Sequence, residues 1–313
     1  MKSKVLYLLL VLLMASPVVR AQQDPLYSQY LFNPLAINSA YTGLDPVLSA
    51  SFNSRFQWNA LEGSPETYTL AAHSSLFDNK IGAGILLLND RLGVTQNTEI
   101  HLSYSYKIQF DYSKIAFGLR TSLVNYRYDY NQLTLKSLDD PDFLPVAENA
   151  TKPNFGAGMI YTGKNLFVGL SVPRILNSDF EDGVTSSTRY IRHYYLMTSY
   201  LFNIDENLAV KPGVLVKGVS GAPVSLDVNV NFLLENLVWV GFYSRDLNSF
   251  GVMGQIELNR AYRLGYSFEL LSRSRLPMNY TTHEVSLILD FAIFNFHRFP
   301  DKINYIDFRD LFK

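Results

Sequence analysis

In one segment of this 313-residue chain after another, every second side chain is apolar and those between are polar. From Ser225 to Phe232 the apolar set is Leu226, Val228, Val230 and Phe232, and the polar set is Ser225, Asp227, Asn229 and Asn231. A repeat of two puts the sets on opposite faces of a β-strand. About fourteen such segments follow one another, and no stretch after the first twenty or so residues approaches the ~18 uninterrupted apolar residues of a membrane-spanning helix. The expected fold is all-β, a transmembrane antiparallel β-barrel of about fourteen strands with lipid outside and polar side chains within.

A soluble β-sandwich also alternates, so it is the competing fold. Energetics favour the barrel. Around Thr98 to Ile108, Ile100, Leu102, Tyr104, Tyr106 and Ile108 share one face, and Glu99, His101, Ser103, Ser105 and Lys107 the other. A one-residue slip would turn the polar set into lipid, at roughly 2–4 kcal/mol for a cation near the midplane, so lipid outside specifies the register. The same sorting turns Arg120, Arg263, Glu269, Glu284 and Asp290 inward. Val238, Val240 and Phe242 alternate with Trp239 and Tyr243, both faces are bulky, and inside and outside stay open there.

The chain begins as an exported one would. Lys2 and Lys4 precede an apolar stretch from Val5 to Ala15, and Val19-Arg20-Ala21 offers a small-residue cleavage site, so residues 1–21 read as a secretory leader. An uncleaved anchor is the other reading. Charged residues are 18% and aromatics 14%, with 21 Tyr and 21 Phe, which suits an apolar belt with rings at both rims. A net charge of −1 without a Lys/Arg-rich run gives no case for nucleic acid, and the absence of cysteine removes disulfides and thiolate metal sites. The expected location is the bacterial outer membrane.

Strands are expected at Leu48–Phe56, Thr67–Ser75, Lys80–Leu88, Thr98–Ile108, Lys114–Tyr128, Pro153–Thr162 and Leu166–Val172. Seven more follow at His193–Phe202, Leu208–Gly218, Val224–Leu233, Leu237–Arg245, Phe250–Leu258, Tyr262–Leu270 and His283–Ile293. Connections after even-numbered strands are tight, roughly three to five residues, whereas Asp129–Lys152 and Pro173–Arg192 follow odd-numbered ones. That asymmetry places the tight turns, and with an even strand count both termini, in the periplasm. Residues 22–46 form an N-terminal segment, 47–296 the barrel and 297–313 a periplasmic tail.

Residues 23–34, Gln-Asp-Pro-Leu-Tyr-Ser-Gln-Tyr-Leu-Phe-Asn-Pro, are followed by Asn38-Ser39-Ala40-Tyr41-Thr42-Gly43. Arg55, Gln57 and Trp58 then stand in the first strand, and Gly63, Pro65 and Thr67 lead into the second. This run resembles the opening signature of the PorP/SprF family of type IX secretion system membrane proteins of Bacteroidetes. The strand succession as far as His283-Glu284-Val285 is also similar. Where the family usually reads Asn-Pro-Ala, this chain has Asn38-Ser39-Ala40, which leaves the local backbone conformation open. The resemblance implies an outer-membrane barrel whose partners are a secreted or cell-surface client protein, or components of the secretion machinery.

Its candidate partner-binding residues are Asp24, Pro25, Tyr30, Asn33, Pro34, Asn38, Arg55, Gln57, Trp58, Gly63 and Pro65. The segment Asp24–Asp45 is expected in the periplasmic mouth or the lumen, either as a plug or as packing at the entrance. There Tyr27, Tyr30, Phe32 and Tyr41 would pack on the wall, and Asn33 and Asn38 would bond turns. Arg55 and Gln57 are expected to face the lumen, with Phe56 and Trp58 on lipid or the rim. Arg55 is expected to pair with Glu284 or Asp290, because first and last strands meet on closure.

No catalytic motif, cofactor or metal site is expected. His73, His101, His193, His283 and His297 lie on separate segments and read as solvated lumen or rim residues. Asp139, Asp140, Asp142 and Glu148 lack calcium-loop spacing and read as a solvated face. Gly82, Gly84, Gly156 and Gly158 read as relief of crowding by neighbouring side chains. The long loops read as folded-over or client-binding surfaces, and the tail as a cap or a partner-docking segment. The leading functional reading is non-enzymatic, without small-molecule substrate: a membrane anchor or partner in type IX secretion. A passive pore for small solutes is the alternative, and an outer-membrane hydrolase the outlier.

Overall fold

The alternating faces are resolved by one sheet that closes on itself. In a computed structural model, which describes residues 29–59, 61–129, 148–181, 187–258, 261–271 and 280–291, the wall begins with β1 (Leu48–Phe56), β2 (Glu66–Leu76), β3 (Ile81–Leu92), β4 (Thr95–Gln109) and β5 (Lys114–Tyr128). It continues with β6 (Glu148–Thr162) and β7 (Leu166–Val172), and a separate hairpin of β8 (Ser178–Glu181) and β9 (Ser187–Tyr190) follows. β10 (His193–Tyr200), β11 (Phe202–Asn203), β12 (Leu208–Val219), β13 (Ser225–Leu234), β14 (Val238–Arg245), β15 (Ser249–Leu258), β16 (Tyr262–Leu271) and β17 (Thr281–Phe291) complete it.

Fifteen strands pair in sequence, β1 meets β17, and the pairing of β10 with β12 closes the circle. β11 extends β10, so the wall has fourteen staves. The stave is interrupted at Leu201, one residue past the position opposite Pro212, which has no N–H to give the ladder. A sandwich would need two sheets over a shared apolar core. Here the apolar face is outermost: Leu70, Leu102, Leu119 and Phe242 are 53, 58, 65 and 52% exposed, which only a lipid solvent makes favourable.

The expected strands are all present, and several run further. β3 reaches Leu92, β4 begins at Thr95 and β6 at Glu148, inside what reads in sequence as connection. The outward residues there are Arg91, Gln96, Asn149 and Thr151, polar because the wall has risen above its apolar belt, so alternation fades while hydrogen bonding continues. The hairpin β8–β9 likewise forms within the Pro173–Arg192 connection. Tight connections such as 77–80, 110–113 and 163–165 all lie at one rim, where β1 begins and β17 ends, with Leu48 opposite Phe291. The 57–65 connection and the β7–β10 connection lie at the other.

The open question at β14 is settled by what fills the barrel. Trp239 and Tyr243, 3 and 5% exposed, point inward, and Val238, Val240 and Phe242 face out. Residues 1–21, expected to be a leader, Asp24, Pro25, Tyr27, the acidic run at Asp139, Asp140 and Asp142, His297 and residues 297–313 lie outside the described residues.

Candidate functional site in the lumen

The segment preceding β1 lies inside the barrel, in the half nearer the tight turns. It consists of one helical turn (Gln29–Phe32) and two 3-10 turns, Pro34–Ala36 and Ser39–Tyr41. Both 3-10 turns start with the same device. Asn33 Oδ1 accepts from Leu35 N–H at 3.2 Å, and Asn38 Oδ1 from Ala40 N–H at 2.9 Å. Pro34 fills the first position of one turn and Ser39 that of the other, a place whose N–H has no partner within the turn, so proline and serine both suit it. The departure at Ser39 therefore leaves the turn intact.

A bed of small side chains receives this segment. Ser75, Gly82, Ser105, Gly118, Gly158 and Ser171 are successive partners across β2 to β7, so they form one inward row. A Cβ on Gly82 would overlap the Thr42 carbonyl, one on Gly118 the Ala40 backbone, and one on Gly158 the Asn38 side chain. These glycines admit the plug's backbone, rather than relieve neighbouring side chains. Gly84 fits the latter expectation, since its Cβ would press on His73 Cβ, and Gly156 makes room for the Pro173 backbone. Gly43 has φ +57° with its backbone against Ser74, a position that excludes a side chain twice over.

Short 3-10 turns leave carbonyls without partners, and the wall supplies cations to them. Arg120 donates to the Leu35 carbonyl and, at 3.0 Å, to that of Ala36. Lys107 donates to the Gly43 carbonyl, and Lys114 to that of Leu44 at 3.0 Å. Asn38 Nδ2 reaches the wall carbonyls of Met159 and Leu170, and Asn33 Nδ2 donates to Ser51 Oγ at 2.9 Å. Phe32 packs with Tyr243, Met253 and Ile288. Tyr30 is buried beside Trp239 and Lys211, and that burial, with Asp227 adding to it, raises its phenol above the ordinary tyrosine range. A cavity of about 30 Å³ lies beside them. Of the two sequence readings for this segment, plug and entrance packing, the geometry is that of a plug.

Nearer the loop rim two ionic clusters occupy the lumen. Arg55 Nη1 binds Glu284 at 3.0 Å, as expected from strand closure, and Nη2 lies 3.9 Å from Glu269. Arg245 joins Glu269 at 3.7 Å to Asp227 at 3.1 Å. Asp290 pairs instead with Arg263, at 2.6 Å, near the tight-turn rim. On the other side the chain after β7 folds inward. Ile175 N–H donates to the Phe155 carbonyl, and Arg174 crosses β6 and β5 to bind Glu99 on β4 at 2.5 Å.

The remaining signature residues are not brought to the plug. Gln57, Trp58, Gly63 and Pro65 shape the β1–β2 connection at the opposite end. Gln57 is half-buried there, and its N–H donates to the Pro65 carbonyl at 3.0 Å. Trp58 is not on an alternating strand: it turns the chain with φ 58°, half-buried. Gly63, at φ 71°, accepts from Gly93 N–H.

The histidines depart from the solvated expectation. His73, His101 and His193 are buried, because the lumen is filled. His73 Nδ1 accepts from Gly43 N–H at 3.1 Å. His283 alone of the described four is on the outer face, between Tyr266 and Thr281. His101 lies between Ser122 Oγ, 2.7 Å from Nδ1, and Glu99, 3.0 Å from Nε2. That sequence of groups resembles an acyl-transfer triad, but Glu99 is already held by Arg174 and Asn97. Ser122 is 1% exposed, so nothing reaches it. Ser122→Ala is expected to lower unfolding stability by about 1 kcal/mol, one hydrogen bond, while an active-site serine probe leaves the wild type unlabelled.

A lipid-facing fourteen-stave barrel with the described part of its N-terminal segment packed inside is an integral membrane protein of the β-barrel class. Residues 19–289 match the family model described as type IX secretion system membrane protein PorP/SprF, and the chain belongs to that family. It is thus an outer-membrane barrel associated with type IX secretion. No curated protein matches the chain. Among solved structures it is similar to a FadL homologue of Pseudomonas aeruginosa (9% identity, 88% of this chain and 96% of that one, TM-score 0.49). Others are Omp33 of Acinetobacter baumannii (11%, 80% and 100%, 0.48) and the toluene transporter TodX of Pseudomonas putida (9%, 82% and 92%, 0.48).

Sequence reasoning passed over Lys107, Lys114, Gly118 and Arg174. Lysines on a lumen-facing register suit water as well as a plug. The usable signal was the register of small residues across β2 to β7, which needs strand pairing to be seen.

Proposed function

We propose that this barrel is a platform and not a conduit: it holds a secreted or surface protein, or a component of the secretion machinery, and makes or breaks no bond. The observation that carries the reading is the lumen, occupied from one end by the N-terminal segment and from the other by the chain after β7. A passive pore needs a continuous aqueous path. No cofactor or small-molecule substrate enters this proposal. Its orientation has the tight turns and both ends of the chain in the periplasm, and the β1–β2 connection with the β8–β9 hairpin outside the cell.

The natural absence of cysteine makes that orientation testable. With an impermeant maleimide on intact cells, Leu61→Cys, in the β1–β2 connection, is expected to label, and Tyr112→Cys, in a tight turn, only after lysis. The reverse pattern overturns the orientation. In gentle detergent the wild type is expected to co-purify with a type IX client or machine component, and to lose it when residues 57–65 or the tight turns are replaced by Gly/Ser linkers. Recovery of the barrel alone under all conditions overturns the platform.

A further inference from the structure

The outer face of β2 to β5 carries a second pattern, written in cross-strand rows. Leu70, Leu87, Ile100 and Leu123 are paired partners in one apolar row. Two residues nearer the loop rim, Tyr68, Asn89, Thr98 and Asn125 make an uncharged polar row. Two further on stand Glu66, Arg91, Gln96 and Arg127. Strands rise about 3.3 Å per residue and tilt by about 40°, so each row is about 5 Å higher than the last. With the first row at the edge of the hydrocarbon, the headgroup layer of ~5–7 Å ends just above the second row, and arginine side chains on the third, about 10 Å above the first, reach down into it.

At that height the wall has a pocket of about 310 Å³, bordered by this third row and the start of β4. Arg91 and Arg127 flank Gln96, two strand spacings apart, about 10 Å. Among the described residues of the barrel strands, the charged side chains that face outward, Glu66, Arg91 and Arg127, all lie in this sector. Two carboxylates, Glu66 and Asp129, also border the pocket. Glu66 stands opposite Arg91, with the Tyr68 hydroxyl 3.5 Å from its carboxylate. Asp129 lies 3.8 Å from Arg127, a loose ion pair that leaves the Arg127 side chain 52% exposed.

We propose that this pocket binds the phosphorylated headgroup of an outer-leaflet lipid, with Arg91 and Arg127 as the phosphate donors and Gln96 between them. Guanidinium forks match phosphate oxygens two at a time, and acyl chains would lie along the apolar row directly below. The assignment to the outer leaflet rests on the orientation proposed above, whereas the binding itself does not.

The test uses full-length protein in non-ionic detergent, saturated with purified lipopolysaccharide, repurified, and assayed for retained lipid. An Arg91→Gln/Arg127→Gln variant is expected to retain about fivefold less than wild type. A Lys80→Gln/Lys164→Gln variant, with the same charge change at the other rim, is expected to match wild type. Heat-dependent gel migration establishes that both are folded. Equal retention by the two variants overturns the site, and displacement of the lipid by millimolar inorganic phosphate overturns its assignment to a lipid. Because detergent erases sidedness, failure here leaves the orientation intact, and the maleimide experiment reports on that separately.

Discussion

Deleting Asp24 to Asn38 is expected to turn a barrel that barely conducts into an open channel, with current across a planar bilayer rising about tenfold or more. A wall of fourteen staves encloses more space than its own inward side chains fill, and here the N-terminal segment supplies the rest. The deletion removes Tyr30, Phe32 and Leu35 from the middle of the lumen, where they are 3, 6 and 0% exposed. It also strips Arg120 of the two carbonyls it holds. In a soluble core such a stranded cation would threaten the fold, whereas in a barrel water enters and solvates it. Residues 39–45 stay on their bed of small side chains, and the chain after β7 still covers β4 to β6. Conduction should therefore open along β13 to β17, beside Trp239 and Tyr243. Conductance unchanged from wild type would remove the plug.

The strands were readable because lipid on one side and polar contents on the other enforce a repeat of two, as in Ser225 to Phe232. Readability ended where that contrast ended. Asn149 and Thr151 continue β6 with polar side chains above the belt, and so read as loop. Trp239 was ambiguous because a plugged lumen accepts an aromatic ring inside, which a water-filled one would not. The same filling accounts for the buried histidines: the sequence specifies which face His101 is on, but its surroundings are set in part by a segment far away, through Arg174 on the Glu99 that His101 touches. The Arg55–Glu284 pair was legible, since closure must set the first strand against the last and the register is then set by polarity. The meeting of Lys107 with the Gly43 carbonyl was not, because a backbone acceptor leaves no mark in the amino-acid sequence.

Arg55→Ala is expected to lower stability against denaturant in micelles by about 3–5 kcal/mol, the range for removing one partner of a buried ion pair. Arg55 is 2% exposed and Glu284 0%, so the loss leaves Glu284 with no cation as close as 3.0 Å and with Glu269 on the neighbouring strand. The strain falls on the seam between β1 and β17, where the chain's two ends close the wall. Arg55→Met with Glu284→Leu removes both charges and is expected to recover most of the loss, since apolar residues of similar volume often replace a buried pair without penalty. Glu269 remains served by Arg245 at 3.7 Å in that double variant. An Arg55→Ala barrel that unfolds at the wild-type midpoint would show that the pair contributes nothing to closure. If that folded variant also failed to hold its client, Arg55 would belong to recognition, and the family signature would encode a binding surface at this rim as well as a plug at the other.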